Sequence, residues 1–345
     1  MIPIQNIYYM LSYAFQVLNE QGYKNIATEQ FNNTGELMAA ILEKGIAIQL
    51  KRGLGKEYIL QTEALSSLRG KIDIAESIKT QSMLRKQLIC TYDEFSVNSI
   101  MNRIIKSTVE LLLRSNISKQ RKKNLRKLMV YFSEVDFIDL YTVNWNVQYN
   151  RNNQTYRMLI SICYLVVKGL LQTQSNGHTK LMDFLDEQRM CRLYEKFILE
   201  YYRREFKNQI TANASQIPWQ LDNEENSMLP VMQSDIMLQS GEKVLIIDAK
   251  YYEHSTQVQF DKHTLHSGNL YQIFTYVKNK EYELREKNHT VSGMLLYAKT
   301  DEEIYPNNVY QMSGNQITVR TLDLNLPFDE IAGQLNTIAK THFDL

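Results

Sequence analysis

Residues 244–252, VLIIDAKYY, constrain the fold more than any other stretch of this chain. Four consecutive apolar residues leave no polar face, so a strand built from them is buried on both sides and belongs in the middle of a sheet. Its character then changes abruptly, because Asp248 and Lys250 follow at once. A second strand is expected just upstream, over residues 231–238, joined to the first by a hairpin-sized connection, residues 239–243, that contains Gly241. Pairing across this connection brings Asp235 and Asp248 near the same end of the sheet. Side chains alternate along a strand, so Asp248 and Lys250 point to one face and Ala249 to the other.

Two carboxylates that converge with a backbone carbonyl, here that of Ala249, make an oxygen-rich site suited to Mg²⁺, which keeps several waters and bridges to phosphate. A lysine beside such an ion can orient or deprotonate an attacking water while the metal stabilises charge on phosphate oxygens. The arrangement suits hydrolysis of a phosphodiester. A plainer reading of the same residues has Asp235 ending a loop and Asp248 with Lys250 forming a surface ion pair, which contributes under about 1 kcal/mol.

A chain of 345 residues is long enough for two ordinary domains. Helical spacing of apolar residues marks 5–20 and 34–50, the latter through Leu37, Ile41, Leu42, Ile46 and Ile48. The turn RGLGKEY leads into short segments, and residues 98–113 read as an amphipathic helix. The Asn-rich stretch 144–155, NWNVQYNRNNQT, is the expected linker between a domain of residues 1–143 and one of residues 156–345. Beyond it, 156–171, 190–205, 266–280 and 328–340 read as helices, SGMLLYA as another buried strand and QITVRTLDL as an outer one. Helices interleaved with a hairpin and further strands predict a mixed α/β layer arrangement.

The remaining signals mostly exclude functions. Hydrophobic content of 44 % and charged content of 22 % are those of a soluble globular protein, and no run approaches the roughly 18 apolar residues of a membrane span. The opening MIPIQNIYYMLSYAF has no basic leader and is broken by Gln5, Asn6 and Ser12, so it is read as a helix of the fold rather than a signal peptide. Cys90, Cys163 and Cys191 lie far apart, which fits small buried groups in a reducing cytoplasm rather than disulfides or a zinc site. His263 and His266 have no partner at metal-ligand spacing, and GLGK at 53–56 lacks the spacing of a phosphate-binding loop. A net charge of +1 gives no global attraction to nucleic acid, but RSNISKQRKKNLRK, residues 114–127, holds seven basic residues and no acid. That run reads either as a solvated helix face or as a docking surface for DNA or an acidic partner.

The pattern D-x(12)-D-x-K, with Gln272 and Tyr276 one turn apart on the following helix, resembles the PD-(D/E)xK nuclease superfamily. Ser234 stands where the superfamily's namesake proline would be. The resemblance implies a restriction-endonuclease-like core, Mg²⁺ as cofactor, and a metal-completing role for Glu195 in LYEKF. A helix-surface pairing of Glu195 with Arg192 or Arg203 is the alternative. Gln272 and Tyr276 would position Lys250 or contact DNA phosphate, or else simply pack their helix.

More specifically, IPIQNIYYMLSYAF, LRGKIDIAESI, NRIIKSTVELLL, LYEKFILEYYRREF, LPVMQSDIML, LIIDAKYY and NLYQIFTYV are similar, in that order, to segments of the McrC family of McrBC-type modification-dependent restriction systems. This resemblance implies a partner, an McrB-like AAA+ GTPase in hexameric rings that recognises DNA carrying modified cytosine. It also implies that residues 1–143, an α+β part without catalytic motif, dock onto that partner and stimulate GTP hydrolysis. Arg52, Arg69 and Lys71 are the candidate stimulating residues. Two other functions remain open at this level: a non-catalytic GTPase regulator with a vestigial nuclease fold, and a stand-alone RecB-like repair nuclease that cuts without any GTPase.

Overall fold

The polar stretch 144–155 is irregular, yet the chain does not divide there. One compact unit comprises Met1–Gln30 with Leu185–Leu345, and the other comprises Phe31–Phe184, so the second is inserted into the first. The computed structural model describes residues 2–19, 23, 26, 29, 31, 33–151, 153–176, 187–223, 228–252, 257–259, 262–299 and 305–345. Two assignments are thereby corrected: the first helix, α1 (Ile4–Ala14), belongs with the C-terminal part, and residues 156–184 belong with the N-terminal part.

The inserted unit opens with α2 (Thr34–Arg52), capped by Asn33, whose side chain accepts the Glu36 N–H at 2.8 Å. Strands β1 (Glu57–Leu65), β2 (Lys71–Asp73) and β3 (Leu88–Ser96) form an antiparallel sheet in the order β1-β3-β2, with the short α3 (Ile74–Lys79) between β2 and β3. Gly70 enters β2 at φ 67°, a region open to glycine, and lies so close to β3 that a Cβ would meet the Thr91 carbonyl and stand 2.6 Å from Tyr92 Cβ. Helices α4 (Ile100–Arg114), α5 (Lys119–Met129) and α6 (Tyr156–Asn176) complete the unit, with α6 packed on α2 and α4. That packing is why 156 onward stays with this unit. Tyr156, buried, accepts the Gly55 N–H at 2.7 Å and donates to Asn102 at 2.7 Å, while Asn102 donates to the carbonyls of Gly55 (2.9 Å) and Val97 (2.8 Å). The GLGK segment is therefore a clamped lead into β1.

The other unit carries α7 (Glu187–Glu205), the short strands β4 (Thr211–Asn213), β5 (Gln216–Ile217) and β6 (Met232–Gln233), and the hairpin β7 (Ile236–Ser240) and β8 (Lys243–Lys250). It continues through β9 (Gln257–Gln259), β10 (Lys262–Thr264), α8 (Ser267–Glu283), β11 (Thr290–Ala298), β12 (Asn308–Met312), β13 (Asn315–Leu322) and α9 (Phe328–Phe343). Its main sheet runs β12-β13-β11-β8-β7-β4. β8 lies inside, buried along Val244–Ala249, as the run VLII requires. β11 runs parallel to both β8 and β13, and the other neighbours are antiparallel, so the sheet is mixed.

Two strand expectations change. QITVRTLDL is not outermost, because β12 pairs outside it. The strand expected over 231–238 breaks at Ser234 and Asp235: β6 pairs with β5, and β7 pairs with β8. Ser234 holds that break, exchanging hydrogen bonds with the backbone of Ser215, its N–H donating to the Ser215 carbonyl at 3.0 Å. The hairpin turn is two residues long, and Gly241 supplies its positive φ of 57°. No helix among the described residues is long and apolar enough to cross a membrane.

α1 is tied to its unit by aromatic and polar contacts. Tyr13 packs edge-on against Phe197 of α7 and donates to Glu205 at 2.9 Å, and Tyr9 stacks on Phe328 of α9 at 4.4 Å. Asn6, buried, donates from its amide to the carbonyls of both Leu324 and Leu326 at 2.8 Å. Asn6→Ala leaves those carbonyls without a donor, and we expect a loss of about 1–3 kcal/mol, read as a lower thermal midpoint for this unit. An unchanged midpoint would remove α1 from the stability of this unit.

Candidate active site

The register of the hairpin places the charges. Ile236 pairs with Ile247, and one further step along the same antiparallel register sets Asp235 opposite Asp248. Directly opposed residues in an antiparallel pair present their side chains on one face. Asp235, at the bend before β7, accepts the Ala249 N–H on Oδ2 at 3.0 Å. Asp248 is 1 % exposed, and Lys250 Nζ lies 2.9 Å from each of its carboxylate oxygens. Only the contact to Oδ1 has hydrogen-bond geometry, so Asp248 Oδ2 is a buried oxygen that accepts no hydrogen bond from the described residues.

Burial pushes the Asp248 carboxyl up to about 7; the Lys250 charge opposes this and the Asp235 charge adds to it. For Lys250, burial acts to lower the ammonium, but the charge of Asp248 and its hydrogen bond outweigh burial, so the amine is held above its ordinary value. Lys250 also approaches Gln272 Oε1 at 3.4 Å, and Gln272 in turn donates to the hydroxyl of Tyr276 at 2.9 Å. Tyr276 is buried in the core beneath α8. The structure thus brings Gln272 to Lys250 directly and Tyr276 through Gln272.

Glu195 reaches the same cluster from α7. Burial raises its carboxyl, and the charge of Asp235 adds to the shift, while Lys250 and Arg192 act against it. Among the described residues Glu195 forms no ion pair, and Arg203 bonds instead to Glu200 (2.8 Å) and to the Ala212 carbonyl (2.9 Å). The surface pairing weighed for Glu195 is therefore absent for Arg203, and Arg192 contributes only through its field.

Four residues not singled out for this site adjoin it: Cys191, Asn269, Tyr297 and Tyr252. Cys191, one turn before Glu195, donates its thiol to Glu195 Oε1 at 3.0 Å, with Sγ 3.9 Å from the Ala249 carbonyl. The i, i+4 spacing of Cys191 and Glu195 was the available signal. Asn269 of α8 donates to the hydroxyl of Tyr297 (3.0 Å) and accepts from Tyr252 (3.2 Å). Tyr297 pairs with Lys250 in the sheet register, so this network ties the start of α8 to the strands bearing the charges. Because burial and the Glu195 contact push the Cys191 thiol up to about 12, its alkylation rate should still be climbing above about pH 9, where an ordinary thiol has levelled off. Cys90 and Cys163 are buried, and mass spectrometry separates the three sites; a Cys191 rate that plateaus near pH 9 would place the thiol away from Glu195.

The donor set of Asp235, Asp248, Glu195 and the Ala249 carbonyl is all oxygen, which fits a hard divalent cation such as Mg²⁺. Asp248 Oδ2, which lies beside the Lys250 ammonium but accepts no hydrogen bond from the described residues, supplies a buried oxygen with spare acceptor capacity. Among the described residues no three His, Cys, Asp or Glu side chains are gathered closely enough to enclose an ion. The carboxylates instead face Lys250, the Ala249 N–H and the Cys191 thiol.

The other candidates lie apart from this cluster. His266 sits at the cap of α8 with its ring 5.3 Å from that of Tyr252, and the side chain of His263 falls outside the described residues. Arg52, Arg69 and Lys71 are exposed in the inserted unit, with Arg69 over the Tyr92 ring at 4.4 Å.

Comparison with known proteins adds family evidence. A family model described as "McrBC 5-methylcytosine restriction system component" matches residues 5–298. The chain is 30 % identical over 330 residues to the type IV methyl-directed restriction enzyme EcoKMcrBC of Escherichia coli (strain K12), covering 94 % of this chain and 93 % of that protein. Two solved structures from Thermococcus gammatolerans are also similar. One is a half-complex of McrB AAA+ hexamers with bound McrC, at 18 % identity and TM-score 0.47, covering 97 % of this chain and 76 % of that one. The other is an McrBC complex, at 21 % identity and TM-score 0.41, covering 59 % of each chain.

Proposed function

The chain belongs to the family of McrBC 5-methylcytosine restriction system components, and from that premise we propose that it is the nuclease subunit of such a system, hydrolysing DNA phosphodiester bonds with Mg²⁺. The observation that carries this reading is the juxtaposition at one end of β7 and β8: Asp235 facing Asp248, Lys250 held 2.9 Å from the latter, and Glu195 bearing on the same cluster from α7.

Asp235, Asp248, Glu195 and the Ala249 carbonyl would hold the ion. When bound, Mg²⁺ supplies Lewis-acid stabilisation of the charge that develops on the phosphate oxygens. Lys250, kept as an ammonium by Asp248, orients the attacking water and donates to a phosphate oxygen. Gln272, itself fixed by Tyr276, limits the directions the Lys250 amine can take. The Asn269 network holds the N-terminal turn of α8 against β11 and so fixes where Gln272 stands.

The partner is an AAA+ GTPase that recognises the modified cytosine, and its docking surface lies in the inserted unit, Phe31–Phe184. That unit exposes an apolar patch uncommon on a self-sufficient surface: Tyr58, Leu60 and Phe95 share one face of the β1–β3 sheet, and Ile74, Ile78 and Leu84 are also exposed. A net charge of +1 agrees with a nuclease brought to DNA by its partner.

A second reading, a GTPase regulator with a vestigial nuclease fold, draws on the ion pair by which Lys250 covers Asp248. Cleavage assays separate the readings. The chain co-purified with its GTPase should cut methylated plasmid when Mg²⁺ and GTP are present and spare the unmodified one. Cutting without the partner would instead favour a stand-alone repair nuclease.

A further inference from the structure

Helix α5 divides its residues by role around its axis. At 100° per residue, Arg121, Asn124, Leu125 and Leu128 share one side. Leu125 is buried, Arg121 pairs with Glu43 at 2.9 Å and Glu36 at 3.7 Å, and Asn124 donates to Glu43 at 3.0 Å. That side holds the helix to α2. Lys119, Lys122, Lys123, Arg126 and Lys127 fill the opposite side, an arc of roughly 140°. Four of them are exposed and Lys122 is half-buried, and none forms an ion pair with a described residue. Val130 and Tyr131, 71 % and 67 % exposed, follow directly.

These charges do nothing for the helix itself. Like charges four residues apart, as in 119/123/127 and 122/126, destabilise a helix by about 0.2–0.5 kcal/mol per pair. Cations in the first turn, Lys119, Arg121 and Lys122, also oppose the helix dipole. On other helices five cations are neutralised one turn away: Lys79 by Glu76, Arg114 by Glu110, Arg203 by Glu200, Lys278 by Glu281 and Lys280 by Glu283. Between Glu110 and Glu134 the chain has no acid at all. An unneutralised face that weakens its own helix points to a partner that supplies the missing negative charge.

We propose that this face of α5 binds the sugar–phosphate backbone of double-stranded DNA, as a sequence-independent anchor outside the candidate active site. DNA is favoured over an acidic protein because the face lacks the apolar centre that protein interfaces bury. A strip of Lys and Arg with an exposed tyrosine, Tyr131, just beyond its end matches the residue types that contact phosphate. From Lys119 to Lys127 the strip extends about 12 Å, the span of roughly three to four phosphates on one strand. The inference rests on the reading of DNA as substrate, and metal-free binding keeps its test separate from cleavage.

Binding of the full chain to a fluorescein-labelled duplex, followed by anisotropy in EDTA from about 50 to 200 mM salt, measures the phosphate contacts through the slope of affinity against salt, about 0.9 per contact. In the variant Lys119→Gln, Lys123→Gln, Arg126→Gln, Lys127→Gln the slope should fall by about three. A charge-keeping variant, Lys119→Arg, Lys123→Arg, Lys127→Arg, should retain it. The control Lys79→Gln, Lys207→Gln, Lys287→Gln, Lys340→Gln, which removes the same net charge from exposed positions elsewhere, should change it by less than about one. A native slope in the α5 variant overturns the proposal, as does equal flattening in the control. Absence of any metal-free binding by the native chain also overturns it, and leaves partner-driven cleavage at the active site intact. Unchanged DNA binding with lost capture of the GTPase would reassign the face to protein.

Discussion

Asp248→Asn, in the chain co-purified with its GTPase partner, is expected to lower cleavage of methylated plasmid by about 10³-fold or more while assembly and GTP hydrolysis stay at native levels. A loss of that size corresponds to about 4 kcal/mol of transition-state stabilisation, within reach of one carboxylate that both holds a cation and faces the reacting centre. Asparagine is the informative replacement because burial already pushes the Asp248 carboxyl up to about 7, so a neutral amide of the same shape suits the site. Both replacements remove the charge, but alanine would also remove the oxygen that accepts from Lys250 Nζ and the volume beside it, and so would confuse chemistry with folding. Gln272 Oε1, 3.4 Å from the amine in the native chain, is left untouched by the substitution. Native cleavage by this variant would sink the site assignment. Loss of cleavage with GTP hydrolysis preserved would sink the purely regulatory reading.

Gly70→Ala should be the most damaging small substitution in the inserted unit. It combines a left-handed φ of 67° with a Cβ driven into the Thr91 carbonyl and the Tyr92 side chain of the central strand. Backbone offers no rotamer by which to retreat, so we expect about 2–4 kcal/mol of destabilisation. That corresponds to a drop of roughly 5–15 °C in the midpoint of this unit. Gly241→Ala isolates the steric part: its φ is also positive, at 57°, but a Cβ there meets open space, and the cost should stay near 1 kcal/mol. If the partner docks on the β1–β3 sheet, Gly70→Ala should also abolish stimulation of GTP hydrolysis. Stimulation that survives melting of this sheet would move the docking surface elsewhere, and an unchanged midpoint would show that β2 does not press on β3.

What the sequence made legible follows from how local each signal is. The apolar run 244–247 required an interior strand, and the two-residue turn with Gly241 followed from neighbouring residues. Period-two alternation was enough to predict that Asp235 and Asp248 would meet, since register is set by the turn between them. Cys191 was read as a small buried group; its i, i+4 spacing allows the contact with Glu195, but its place beside the Ala249 carbonyl came only from knowing which face of α7 turns toward β8. The inserted arrangement was invisible for a similar reason. Nothing in the Asn-rich stretch 144–155 reveals that Tyr156 reaches back to Gly55 and Asn102, or that Asn6 waits for carbonyls more than 300 residues away. QITVRTLDL looked like an edge because its outer neighbour, β12, is a short, largely exposed segment with no strong pattern of its own.

The division of the chain also sets an order of events during synthesis. Helix α1 leaves the ribosome ahead of the inserted unit, but its partners are made after that unit: Phe197 and Glu205 of α7, then Leu324, Leu326 and Phe328. The inserted unit, Phe31–Phe184, is complete long before them and has its own sheet and helices to fold on. A nascent chain therefore carries a complete inserted unit while its candidate nuclease centre is still unassembled. α1, with its apolar and aromatic face unburied in the meantime, closes the second unit only once Leu324, Leu326 and Phe328 have been made. The candidate nuclease centre is thus completed after the part proposed to place it under the control of a GTPase.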